Sequence, residues 1–253
     1  MKWNNDIFKR YMEAGLAILI VLTLGLAGAA GVLSPRATER EQNETAAEND
    51  STKASQENEN KTSASNPDTE ETQETIADGQ YPIMGSSNIT VQEMVDYFNA
   101  SGEVYPAEEL SEGGADSIET FCQMYYDEAT AEGVRPEVAF AQTMKETGFL
   151  QYGGDASIEQ FNFAGLGTTG NGVPGNSYPD VQTGIRAQIQ HLKAYATADA
   201  LNQECVDDRY EYVKKGSAPY VQWLGQQENP EGLGWATGDN YGYDIVGMIE
   251  EMM

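Results

Sequence analysis

Glu146 is the residue whose place in the sequence best suits acid–base chemistry. An apolar helical segment begins at Pro136 and carries this carboxylate at its end, where Gly148 stops the helix. The carbonyl end of a helix is partially negative, which disfavours an ionised carboxylate and raises its pKa. We therefore predict that Glu146 can act as a general acid. From position alone, a solvated glutamate at a helix end is the simpler interpretation.

Two later segments combine aromatic, amide and glycine residues in a way that suits sugar binding. One reads Asn162–Phe–Ala–Gly165–Leu, and the other reads Trp235–Ala–Thr–Gly–Asp–Asn–Tyr241. Flat aromatic rings complement the apolar faces of pyranose rings. The Asn162 amide can bind an N-acetyl group or cap its own turn, and both alternatives stay open. Further aromatic candidates are Tyr178, Trp223 and Tyr243, of which we expect the last two to be packing residues.

Together the segments resemble bacterial glucosaminidase domains of glycoside hydrolase family 73. Gln142–Thr–Met–Lys–Glu146–Thr–Gly is similar to the family's Gln-x-x-x-Glu-Ser-Gly, and the two later segments are similar to its Asn-Leu-Phe-Gly-Ile and Tyr-Ala-Thr-Asp-x-x-Tyr. The resemblance covers about residues 136–252. It implies a lysozyme-like, mainly α fold with Glu146 as the general acid. It also implies a set of substrate-binding residues, namely Gln142, Asn162, Phe163, Gly165, Trp235 and Tyr241.

The chain departs from the family pattern at several positions. Trp235 stands where the family has a tyrosine, and Ala164 stands where it has a phenylalanine. Glycosidases usually need a second carboxylate, for which Asp180 is one candidate, although we expect it to cap a helix. The other acidic candidates are Asp155, Glu159 and Asp239. The resemblance equally allows the substrate's own 2-acetamido group to take this role.

The resemblance implies a peptidoglycan hydrolase that cleaves the glycan strand as an endo-β-N-acetylglucosaminidase without a cofactor. A lytic transglycosylase or a muramidase on the same fold is the alternative among enzymes. A non-catalytic peptidoglycan-binding or scaffold module is the alternative outside them. Trp235 and the short loop over residues 170–179 favour that last interpretation, because both depart from the family.

Composition excludes several other classes of function. Acidic residues outnumber basic ones by 41 to 14, giving a formal charge of −27, which argues against nucleic acid as a partner. Two cysteines and one histidine are too few for a typical structural zinc site, so we predict no metal. A thiol peptidase would need Cys122 and His191, but Cys122 falls in an apolar helical stripe. A disulfide between Cys122 and Cys205 is compatible with export and cannot be inferred from the sequence.

The chain divides into three parts. Residues 1–35 hold an uncharged apolar run over residues 14–33, long enough for a transmembrane anchor, although Ala27–Gly28–Ala29 also suits signal-peptide cleavage. Residues 36–80 form an acidic linker without aromatic residues, which we expect to be disordered. Residues 81–253 form one domain. We expect this domain to be extracytoplasmic, either anchored in the membrane or secreted.

Helical periodicity accounts for most of the domain. Thr90 and Glu93 predict a capping box, Asp116 is the predicted cap of a second helix, and Pro136 begins a third. A long helix is predicted over residues 181–196, with shorter pieces over 207–215 and 218–224. The last helix is predicted from Asp239. No segment shows a convincing alternation of apolar and polar residues, so the predicted domain is mainly α.

Overall fold

The computed structural model describes residues 79–170 and 172–253. In this part the chain forms six α-helices, which are α1 (Val91–Ser101), α2 (Ala107–Ser111), α3 (Ile118–Glu132), α4 (Pro136–Thr147), α5 (Val181–Ala196) and α6 (Tyr241–Met252). Three short 3-10 helices cover Ile158–Gln160, Tyr210–Tyr212 and Val221–Leu224. Between the same bounds, β-pairing is limited to isolated bridges such as Met84 with Val134. The prediction of a mainly α domain is confirmed.

Side-chain caps set the starts of three helices. The Thr90 Oγ1 accepts the Glu93 N–H at 3.2 Å, while the Glu93 carboxylate accepts the Thr90 N–H at 2.7 Å, as the capping box predicts. The predicted cap of α3 is wrong by one residue. Ser117 accepts the Thr120 N–H at 3.2 Å, and Asp116 accepts only the Thr120 hydroxyl. Asp180 caps α5 through the Thr183 N–H at 2.7 Å.

Helix α4 lies at the centre of the core. Nearly all of its side chains are fully buried, and it contacts α3, α5 and α6. Phe121 lies beside it and packs edge-on against Phe163 with ring centroids 5.1 Å apart, while Tyr125 packs edge-on against Phe140. Each such side chain contributes about 1.5–3 kcal/mol through burial. The helix that ends in Glu146 is therefore held on several sides.

Two ion pairs attach α5 to α3, and one of their carboxylates also binds the segment that follows α5. The Lys193 ammonium lies 2.8 Å from Glu132, and the Arg186 guanidinium donates twice to Glu128. Glu132 also accepts the backbone N–H groups of Asn202 and Gln203. Buried charges are tolerated when they are paired and hydrogen-bonded in this way. The contacts hold the start of the loop that leads to residues 207–212.

Two results concern the less predictable parts of the chain. Helix α2 was not predicted, because it is a single turn that follows Pro106 and carries mainly polar residues. The predicted apolar segment over residues 14–33 and the acidic linker lie outside the described residues. From residue 79 onward, the described helices include none that is long and apolar enough to cross a membrane.

Candidate active site

Glu146 lies on the last turn of α4, where it meets the first residue of α6. The Tyr241 hydroxyl donates a short hydrogen bond to a carboxylate oxygen of Glu146. Tyr241 is only 1% exposed, whereas Glu146 remains exposed to solvent. Protein atoms surround the side of the carboxyl group that faces Tyr241, and this desolvation raises the pKa of Glu146. Because water reaches the other side, the shift is smaller than for a fully enclosed carboxyl group.

Two neighbours partly offset this rise. The Tyr241 hydrogen bond and then the positive charge of Lys145 both lower the pKa of Glu146. Burial, followed by the nearby Glu146 charge, raises the pKa of Tyr241 well above its ordinary value. The Tyr241 phenol therefore stays neutral at physiological pH and always has a proton to donate.

A chain of buried hydrogen bonds supports Tyr241 from behind. The Gln142 side chain donates to the Tyr241 oxygen at 3.0 Å, and Gln188 on α5 donates to the Gln142 side-chain oxygen at 3.0 Å. The Gln188 oxygen in turn accepts the hydroxyls of Tyr125 at 2.7 Å and Thr143 at 2.8 Å. We call these five residues the buried amide network. Such satisfied networks fix side-chain orientation, because each group has only one favourable arrangement.

Thr147 fixes the turn that follows Glu146. Its hydroxyl donates to the Thr143 carbonyl at 2.7 Å and accepts the Leu150 N–H at 2.9 Å. Gly148, Phe149 and Leu150 all have left-handed backbones, with φ of 58°, 57° and 65°. Non-glycine residues adopt this conformation at a cost of about 1–2 kcal/mol each, so the turn needs such a clamp. A serine hydroxyl at this position could make the same two bonds.

A lysine–aspartate pair beside Glu146 was missed by the sequence analysis. The Lys145 ammonium lies 2.8 Å from the Asp244 carboxylate on α6 and 5.5 Å from the centre of the Tyr241 ring. Asp244 lies three residues after Tyr241, which places both on one side of α6. This spacing was readable, but nothing in the sequence showed that α6 would lie against the end of α4.

The structure places several expected substrate-binding residues inside the protein. Asn162 caps its own turn, because its side chain accepts the Leu166 N–H and donates to the Leu166 carbonyl, both at 2.9 Å. Phe163 is fully buried in the aromatic core, and Gln142 is fully buried in the amide network. None of these three side chains reaches the surface in this structure, and their contact with substrate stays a prediction. Gly165 has a φ of 61° within the Asn162 turn, which a glycine adopts without strain.

Trp235 is half-buried and forms an aromatic group with His191 and Tyr195. Its ring lies 4.8 Å from that of His191, edge-on, and 5.7 Å from that of Tyr195, tilted. Tyr195 lies near enough to Tyr241 to raise the pKa of that phenol further. His191 is buried, with Nδ1 2.6 Å from the Asp207 carboxylate. The ring faces of Trp235 and Tyr195 can offer a surface for a sugar.

Asp180 is occupied by its cap on α5, as expected, and Asp155 accepts the Gly172 N–H at 3.1 Å. Cys122 is buried, which raises the pKa of its thiol and keeps it protonated, and both cysteines are free. No group of three acidic, cysteine or histidine side chains suited to a metal ion occurs between residues 79 and 170 or 172 and 253. Trp223 packs edge-on against Tyr220, and Tyr243 is 54% exposed.

Comparisons with known proteins identify the family of the chain. Over 104 residues the chain is 44% identical to an uncharacterised protein of Borreliella burgdorferi, a match that covers 41% of this chain and 51% of that relative. The chain thus spans about half the length of that curated relative. No solved structure matches the present chain. The sequence model of the glucosaminidase family, described as mannosyl-glycoprotein endo-beta-N-acetylglucosaminidase, matches residues 122–253 and so takes in α3 to α6. Since this match covers more than half of the sequence, the protein belongs to the glucosaminidase family.

Proposed function

We propose that this protein is a glycoside hydrolase that cleaves the glycan strand of peptidoglycan as an endo-β-N-acetylglucosaminidase, with Glu146 as the general acid. The observation that carries the proposal is the pair formed by Glu146 and Tyr241. A solvent-accessible carboxyl group with a raised pKa is held by a phenol that stays neutral. A carboxyl group in this condition can carry a proton to a leaving oxygen near neutral pH.

The proposed reaction breaks the bond between the anomeric carbon and the leaving oxygen. Glu146 gives its proton to that oxygen, and the electron pair of the breaking bond leaves with it. The positive charge on the anomeric carbon is met by the carbonyl oxygen of the substrate's own 2-acetamido group, forming a cyclic oxazolinium ion. Water then opens this ring and loses a proton to Glu146. The Tyr241 hydrogen bond stabilises the Glu146 carboxylate between these two steps.

Two observations support this use of the acetamido group. Asp180 is engaged at a helix cap, and Asp244 is neutralised by Lys145. Neither is free to act as a second carboxylate without giving up its partner. In the proposed site, Trp235 and Tyr195 of the aromatic group stack on the sugar. For the domain as a whole we propose the lysozyme-like fold that the family resemblance implies.

We further propose that the domain works outside the cytoplasm, because the apolar run over residues 14–33 has the length of a membrane span. The acidic linker over residues 36–80 would hold the domain away from the bilayer. Cell fractionation of the full chain and of a chain lacking residues 1–35 tests this. Recovery of both forms in the same soluble fraction would contradict anchoring.

The central test is product analysis on purified peptidoglycan with the wild type, Glu146→Gln and Glu250→Gln. Glu250 is an exposed residue of α6 and serves as the matched control. We expect the wild type and the control to release fragments with N-acetylglucosamine at the reducing end. Glu146→Gln should be at least about a hundredfold slower, because loss of a general acid typically costs 10²–10⁴-fold.

Other outcomes point elsewhere. Reducing-end or 1,6-anhydro muramic acid would identify a muramidase or a lytic transglycosylase. Binding to insoluble peptidoglycan without release of fragments, between pH 4 and pH 8, would identify a non-catalytic module. Digestion by Glu146→Gln at the wild-type rate would refute the assignment of the general acid.

A further inference from the structure

Arg209 stands apart from the other cations of the domain. Every other lysine and arginine in residues 79–170 and 172–253 has a carboxylate oxygen within 4.0 Å. Arg209 has none among the described residues. Its guanidinium carbon instead lies 5.6 Å from the centre of the Tyr212 ring, and Tyr212 is 79% exposed. In a protein with a formal charge of −27, an unneutralised arginine is exceptional.

The nearby acidic residues are engaged elsewhere. Asp207 binds His191 with one oxygen, while its other oxygen accepts the backbone N–H of Arg209 at 2.9 Å. Asp208 accepts the Asn176 side-chain N–H at 2.6 Å. Both carboxylates are therefore close in sequence but do not reach the guanidinium group. Its fixed fork of N–H donors remains open for an external acceptor.

Arg209 is connected to the aromatic group, because Asp207 accepts its backbone N–H and also contacts His191, whose ring lies 4.8 Å from that of Trp235. Its positive charge opposes the rise in the pKa of Tyr195, whose ring packs against Trp235. It also opposes the rise in the pKa of Tyr178, which burial raises to about 12. The guanidinium group is thus within electrostatic range of two half-buried tyrosines. One of them, Tyr195, also raises the pKa of Tyr241, whose hydroxyl donates to Glu146.

We propose that Arg209 binds a carboxylate carried by the muramic acid substituent of the substrate strand. This inference rests on the proposed function. Peptidoglycan strands carry carboxylates on their stem peptides, and on the lactyl group once the peptide is removed. A strongly acidic domain repels such a strand. A bidentate guanidinium–carboxylate contact beside the aromatic group offsets this repulsion and fixes which sugar follows the cleaved bond.

The test compares binding of soluble strands of equal sugar number. The proteins are Glu146→Gln, which keeps the strand intact, and the same protein with Arg209→Gln, Arg209→Lys or Lys214→Gln added. Lys214 is the matched control because it also carries one positive charge, is 61% exposed and lies in an exposed ion pair. Three strands are used, namely native, native with its carboxylates converted to methylamides, and stripped of peptide by an amidase. Titration calorimetry gives the dissociation constants.

We expect Arg209→Gln to weaken binding of the native strand by about five- to twentyfold, the range for a charge-assisted contact open to water on one side. Arg209→Lys should restore part of the loss. The methylamide strand should bind Arg209→Gln and its parent equally well, and Lys214→Gln should behave like the parent throughout. The lactyl carboxyl group is an amide wherever the peptide is attached, so an effect on the native strand assigns the contact to a peptide carboxylate. A persistent effect on the stripped strand would show that Arg209 also binds the lactyl carboxylate exposed there, and its disappearance would confine the contact to the peptide.

Three results overturn the inference. If Arg209→Gln weakens native and methylamide strands alike, the arginine has a structural role only. If it weakens neither, no carboxylate is bound there, although the proposed function stands as long as the wild type releases the expected fragments. If no strand is bound by any of these proteins and the wild type cleaves none, the proposed function fails and the inference fails with it.

Discussion

Replacing Tyr241 by phenylalanine tests how the protein holds its reactive carboxyl group. The substitution keeps the buried ring and removes only the hydroxyl that donates to Glu146 and accepts from Gln142. This hydrogen bond stabilises the ionised form of Glu146, so its loss should raise the pKa of Glu146 further. A general acid must be protonated to act. The alkaline limb of the kcat/KM profile should therefore move to higher pH.

The size of the shift follows from the surroundings. A hydrogen bond to an ionised group contributes about 1.5–3 kcal/mol when both partners are enclosed. Glu146 is open to water on one side, which reduces the contribution to about 1 kcal/mol, or a little under one pKa unit. Gln142 is fully buried and loses the acceptor of its N–H group. That unsatisfied donor should lower the free energy of unfolding by about 1–3 kcal/mol.

Carbon-13 NMR of the Glu146 carboxyl group measures the pKa without requiring activity, and thermal unfolding measures stability. Tyr243→Phe is the matched control, since Tyr243 lies two residues further along α6 and is 54% exposed. The control should change neither quantity. An unchanged or lowered pKa of Glu146 in Tyr241→Phe would show that the phenol does not stabilise the ionised carboxylate.

Three further predictions concern single residues. Glu146→Gln should raise the melting temperature at pH 8, because only the wild type must ionise a carboxyl group in the folded protein. The gain in melting temperature should disappear as the pH falls through the ordinary glutamate pKa of 4.5. A gain that grows toward low pH would contradict the raised pKa of Glu146. Asp180→Asn should keep both activity and stability, since asparagine caps helices as well as aspartate, while Asp180→Ala should cost about 1 kcal/mol with kcat intact; a large loss of kcat in Asp180→Asn with normal melting would instead identify a second catalytic carboxylate. Asn162→Ala should lower the free energy of unfolding by about 2–3 kcal/mol in denaturant titrations, through its lost bonds to Leu166, and Asn162→Asp, which keeps the acceptor, should lose less.

Local signals in the sequence predicted much of the fold. The Thr90 cap, the stop at Gly148 and the apolar faces of the helices depend on neighbours within a few residues, so they can be read without knowing the tertiary structure. Helix α2 has neither a side-chain cap nor a repeating apolar face, and it was missed. The predicted cap of α3 was Asp116 and the observed cap is Ser117, and the sequence did not separate them because both residue types suit that role.

The direction of each side chain at the site could not be predicted in the same way. Asn162 and Phe163 are polar and aromatic residues in a turn, which suits both a binding surface and an internal brace. Only the packing of that turn against α3 decides for the brace. Similarly, Gln142 reads as a polar residue near an acid, and its partner Gln188 lies 46 residues further along the chain. Contacts at such a separation are decided by the whole fold.

The buried amide network also bears on how this domain can vary. Its members come from α3, α4, α5 and α6, and each side chain is hydrogen-bonded to at least one other member. Exchange of a single glutamine for an apolar residue leaves a partner unsatisfied in the interior, whereas exchange of the whole set for apolar residues of similar volume does not. Yet exchange of the whole set also replaces Tyr241 and so removes the hydroxyl that donates to Glu146. Among homologues of this sequence, these five positions should therefore vary together or stay unchanged.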